Sequence, residues 1–66
     1  MKNHIKVLRA GINMSQAELA QLCQVSRHAI MAIEKQKHDP SITLACKIAQ
    51  ALGEPIDRVF VLTDLH

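Results

Sequence analysis

Apolar residues recur every three or four positions along most of this chain, and helix-start and helix-stop residues punctuate them. The pattern predicts five short helices. The first runs from about Asn3 to Ala10, with Asn3 as its cap and Ile5 and Leu8 turned inward. Gly11 and Asn13, which tolerate positive φ, follow it. Ser15 and Glu18 have the spacing of a capping box and start the second helix, whose apolar face is Leu19, Leu22 and Cys23. After the very short link Gln24-Val25, Ser26 caps a third helix reaching about Lys35. A polar loop, Gln36 to Pro40, leads to Ser41 as the cap of a fourth. That helix carries Leu44, Ala45, Ile48 and Leu52 on one face and stops at Gly53. A last short helix, Pro55 to about Phe60, adds Ile56, Val59 and Phe60. The tail 61–66 is apolar for a chain end.

The fold class is therefore all-α, a compact five-helix bundle ending in a short extended segment. Residues 1–60 form one domain, with 61–66 a tail. At 66 residues the chain is too short for a second core. Two cysteines are too few for a secreted disulfide scaffold. No apolar run reaches membrane-span length and no signal-peptide core precedes the first helix, so the expected location is cytoplasmic. Phe60 is the sole aromatic, which excludes a base-stacking platform for single strands. The net charge of +2 is small, but it is polarised. Residues 1–37 hold Lys2, Lys6, Arg9, Arg27, Lys35 and Lys37 against Glu18 and Glu34; residues 38–66 hold Lys47 and Arg58 against four acids. The basic front half suits a phosphate-bearing partner.

Two short helices joined by a tight turn make a helix-turn-helix. At ~100° per residue, with Arg27 at 0°, Met31, Lys35, His28 and Ala32 fall between ~40° and ~140°. Ile33 and Ile30 fall on the opposite side and anchor the helix. The outward face suits a DNA major groove. Arg27 can grip O6 and N7 of guanine, His28 can donate to a base acceptor or a phosphate, and Met31 and Ala32 can meet a thymine methyl. Gln16, at the start of the second helix, adds a side-chain donor to backbone N–H groups that attract phosphate. Ser26, Lys35, Lys37, His38 and Ser41 complete the phosphate-facing set. The plainer reading of this face is a solvated helix surface, and of Ser15 simple capping.

The residues that carry this reading resemble a known family. The run Leu8-Arg9, Ser15-Gln16-Ala17-Glu18-Leu19-Ala20, Val25-Ser26-Arg27, Ile30, Ile33-Glu34-Lys35, Pro40-Ser41, Lys47 to Gly53 and Asp57-Arg58-Val59-Phe60 is similar to the phage-repressor/Cro-type, Xre-like helix-turn-helix regulators. The likeness spans residues 4–60. It implies a five-helix bundle with the third helix in the major groove and the second lying across it. It places Arg27, His28 and Ala32 toward bases and Gln16, Lys35 and Lys37 toward phosphates, and joins Arg9 to Glu34 by a salt bridge. Many members have glycine where this chain has Gln24 and Gln36; if positive φ is needed there, glutamine is strained. Small Ala32 implies fewer direct base contacts and more reading through DNA shape.

The expected function is a sequence-specific, double-stranded-DNA-binding transcriptional regulator, a repressor working as a homodimer on an inverted-repeat operator. Phe60, Val61, Leu62 and Leu65 are the candidate dimer interface, with the last residues extended as a strand; the plainer alternative folds them back on the first helix. Cys23 and Cys46 are expected as small buried core residues. The four histidines lack metal-ligand spacing, so neither metal nor cofactor is expected. No catalytic constellation stands out. The competing class is an antitoxin or anti-regulator using the same bundle to bind a protein partner. A stability domain cut from a larger protein is weaker, since the chain starts at Met1 and carries its own apolar tail.

Overall fold

A computed structural model describes residues 1–62. Five helices follow one another: α1 (Ile5–Gly11), α2 (Gln16–Cys23), α3 (Arg27–Glu34), α4 (Ile42–Leu52) and α5 (Ile56–Val59). They are the expected helices, with ends shifted by a residue or two. The serines begin three of them. Ser15 Oγ accepts from the Glu18 N–H, Ser26 Oγ from the Ala29 N–H and Ser41 Oγ from the Leu44 N–H, at 3.0, 3.1 and 3.1 Å. Glu18 returns the bond to the Ser15 N–H at 3.0 Å, closing the capping box. Asn3 works from one position further out than expected. Its Oδ1 accepts from the Ile5 N–H at 3.2 Å and its Nδ2 donates to the Ile33 carbonyl at 2.9 Å, tying α1 to α3.

Four turns end in the same way. Asn13, Gln24, Gln36 and Gly53 all have φ between 60° and 70°. Each is followed by an N–H that reaches back five residues: Met14 to Arg9, Val25 to Ala20, Lys37 to Ala32 and Glu54 to Ala49. This left-handed cap uses carbonyls that a helix end leaves free. The strain foreseen for Gln24 and Gln36 is therefore present.

The core lies where these helices meet. α2 packs on both α3 and α4, and α4 on α5. Ile5, Leu19, Ile30, Ile33, Ile48, Val59 and Phe60 are fully buried, and Leu8 and Leu44 pack against them. Two core expectations need correction. Leu22 is 60% exposed, because the buried arc of α2 runs through Leu19, Cys23 and Ala20 and Leu22 points away from it. Cys46 is exposed while Cys23 is buried. On α4 the buried positions are Ala45, Ile48, Ala49 and Leu52; Cys46 lies on the outer side one turn after Ile42, itself 76% exposed.

The chain end also departs from expectation. Phe60, expected as the end of the last helix, is extended and pairs antiparallel with Asn3 of the same chain. His4 N–H donates to the Val59 carbonyl at 2.8 Å and Val61 N–H to the Lys2 carbonyl at 2.9 Å. Phe60, taken as an interface residue, is 1% exposed and belongs to its own chain's core. Packing a lone large ring inside a 66-residue domain removes more apolar area from water than any other single side chain here can. Val61 is half-buried and Leu62 exposed; Leu65 lies outside the described residues. None of the described helices is long and apolar enough to cross a membrane.

Candidate nucleic-acid interface

The first turn of α3 presents Arg27 and His28, both exposed, while Ile30 and Ile33 hold the opposite side in the core. This division is the one read from the helical wheel. Met31 and Ala32 are half-buried, at the flanks of the exposed arc. They offer edges of apolar surface to a groove rather than whole side chains. Lys35 caps the helix at its far end and is exposed, as are Lys37 and His38 in the loop to α4.

The serine caps leave a donor unused. Each Ser Oγ of Ser26 and Ser41 accepts a backbone N–H, so its own O–H remains to donate. Both residues are exposed, so a phosphate oxygen can reach that hydrogen.

Behind this surface lies a closed polar network. Arg9 of α1 donates through Nε to Glu34 Oε2 at 2.7 Å and through Nη2 to Glu34 Oε1 at 3.1 Å. Its Nη1 donates to the Met14 carbonyl at 2.9 Å. Gln16 Nε2 donates to Glu34 Oε1 at 3.1 Å. One carboxylate at the end of α3 thus orients a side chain from α1 and another from the start of α2. The two charged side chains are only 12% and 6% exposed. Every fully buried side-chain polar atom among the described residues has a partner. The Arg9–Glu34 pair expected from the resemblance is therefore formed, and bidentate. Gln16, expected to face a phosphate, is part of this network. One of its two amide hydrogens is committed to Glu34, and the other remains to donate outward.

Lys6 was not among the expected site residues. With Arg9, Ser15, Gln16, Ala17 and Arg27 it lines an open cleft where α1 meets the starts of α2 and α3. Its spacing of three from Arg9 was the signal, since residues three apart share one side of a helix.

A family model described as helix-turn-helix matches residues 5–59. The chain is 48% identical over 64 residues to an uncharacterized HTH-type transcriptional regulator of Methanocaldococcus jannaschii, covering 97% of each chain. It is 41% identical, again over 97% of each chain, to one from Bacillus subtilis. Among solved structures, the restriction-modification controller protein C.AhdI from Aeromonas hydrophila superposes with a TM-score of 0.80 at 27% identity over 85% of each chain. A hypothetical transcription factor, NHTF, from Neisseria superposes with a TM-score of 0.77 at 28% identity, over 82% of this chain and 61% of its own. The bundle, its caps and its relatives agree: this chain belongs to the helix-turn-helix family of Xre/Cro-type transcriptional regulators, which are DNA-binding proteins and not enzymes.

Proposed function

We propose that the protein is a homodimeric, sequence-specific repressor that inserts α3 into the major groove of double-stranded DNA. The observation that carries this reading is the two-sided character of α3. Its inner side is locked by Ile30 and Ile33, and its first turn offers Arg27 and His28 with no described acid paired to either. Arg27, His28, Met31 and Ala32 face base edges. Gln16, Ser26, Lys35, Lys37, His38 and Ser41 hold phosphates and set register. A dimer is supported by size. The longest dimension of the molecule is 31 Å, so one copy with one reading helix fills one half-site. Two copies related by a two-fold axis place their reading helices ~34 Å apart, on a near-palindromic operator. Val61 and Leu62, which follow the buried Phe60, are the described part of the interface, with Leu65 beyond them. The protein works in the cytoplasm.

Selection of bound sequences from a random duplex library, at two salt concentrations, tests the reading. An enriched inverted repeat, with binding that falls steeply as salt rises, is the expected result. No enriched motif sinks it. A chain ending at Phe60 keeps the core ring and loses the tail. Sedimentation of that chain as a dimer would remove Val61, Leu62 and Leu65 from the interface.

A further inference from the structure

Three cationic side chains, Lys6, Arg9 and Arg27, line the cleft between α1, α2 and α3. Arg9 is neutralised there by Glu34, at 2.7 Å. Lys6 and Arg27 are exposed, and no described carboxylate answers either of them. Glu18, the acid nearest in sequence to the cleft's α2 wall, has its carboxylate on the Ser15 N–H. The cleft therefore carries two uncompensated positive charges, which repel unless an anion enters. Its wall supplies a neutral donor as well: Gln16 has one amide hydrogen to spare. A compact tetrahedral oxyanion on a flexible polyanion matches this set of donors better than a planar carboxylate, because they come from separate elements and do not form a fork.

We propose that Lys6 binds a backbone phosphate of the operator, in this cleft, beside the base-reading Arg27. The assignment rests on the DNA-binding reading above and adds α1 to the elements that touch DNA. The phosphate lies between Lys6 Nζ on one side and the first turn of α2 on the other. It screens Arg27 from Lys6, so that Arg27 can extend toward a base. α1 then acts as a third anchor that fixes the angle at which α3 enters the groove.

The test uses the full chain and two duplexes, the selected operator and an unrelated sequence of equal length. Binding is followed by fluorescence anisotropy over a series of salt concentrations for wild type, Lys6→Gln and Lys6→Arg. Lys6→Gln is expected to weaken binding about fivefold near physiological salt and to make the slope of log K against log salt shallower by about 0.9. The loss should be alike on both duplexes, since a phosphate carries no sequence. Lys6→Arg should restore affinity and slope. Because Lys6 is exposed, circular dichroism melting should be unchanged in both variants. Wild-type affinity and slope in Lys6→Gln overturn the proposal, and so does a loss confined to the operator, which would mark a base contact. A wild type that binds neither duplex overturns the DNA reading itself, and this proposal with it.

Discussion

Arg9 and Glu34 are 25 residues apart in sequence and face each other through two parallel hydrogen bonds of 2.7 and 3.1 Å. The pair connects the end of α3 to α1, and through Gln16 to the start of α2. It does so where solvent barely reaches, so its net contribution is the small difference between desolvation and attraction. Its orienting effect is larger, since three helices meet on one carboxylate.

Breaking one half of this pair should cost far more than replacing both. Glu34→Ala leaves a guanidinium nearly buried and unpaired, and is expected to destabilise the fold by about 3–5 kcal/mol. The double variant Arg9→Met with Glu34→Leu should recover most of that. Arg9→Lys cannot form the fork or reach the Met14 carbonyl as well, and should fall between. Urea unfolding of the four chains decides it; equal losses for the single and double variants would mean the carboxylate's other partners dominate.

Gln24 and Gln36 stand at φ 60° and 61°, in a cap that Gly53 fills elsewhere in the same molecule. A side chain there costs roughly 1–2 kcal/mol of local strain, against which glycine gives up some chain entropy. Gln24→Gly and Gln36→Gly should each stabilise by about 0.5–1 kcal/mol, and Gly53→Gln should destabilise by a similar amount. Both glutamines are exposed, so no packing is lost. Thermal melts of the single and double variants measure this directly.

The capping box makes helix α2 sensitive to acid. The Ser15 backbone N–H, and then its hydroxyl, hold the Glu18 carboxyl below the ordinary carboxylate value. A group whose folded pKa is lowered stabilises the fold above its unfolded pKa, and that contribution is lost as pH falls through the folded value. Stability should therefore decline in the acid range, and Glu18→Gln should flatten part of that decline. An unchanged acid limb in Glu18→Gln would show that other carboxylates govern it.

The cysteines should differ in reactivity. Burial pushes the Cys23 thiol up, against a smaller opposing pull from Lys47, and the side chain is inaccessible. Cys46 is open to solvent. Iodoacetamide at neutral pH should modify Cys46 alone in the native protein, and both after unfolding. Peptide mass mapping reads the result.

Arg27 and Lys35 should separate reading from holding. Arg27→Ala is expected to lose about 1–3 kcal/mol on the operator and to relax preference at one base position. Lys35→Ala should weaken all duplexes alike. Repeating the sequence selection with each variant distinguishes them; an unchanged motif for Arg27→Ala would remove it from the base-reading set.

Local chemistry made much of this legible from the chain. Ser15, Ser26 and Ser41 cap where their spacing says they should, because a cap needs only a hydroxyl and an N–H three residues on. The two sides of α3 could be read because helical periodicity alone separates Ile30 and Ile33 from Arg27 and His28.

What required the folded molecule was everything decided by neighbours distant in sequence. Leu22 and Cys46 are as apolar as the residues beside them, yet α2 and α4 each bury a narrow arc, set by the angle at which helices cross. Phe60 went to its own core, where a strand-like contact with Asn3 closes the chain on itself, and Lys6 joined Arg27 only because α1 and the starts of α2 and α3 line one cleft. The amino-acid sequence by itself determined the helices, their caps and the exposed face of α3, since these depend on residues within one or two turns. The tertiary structure decided which apolar side chains are covered and which cations share a cleft, since burial and charge pairing depend on packing between elements.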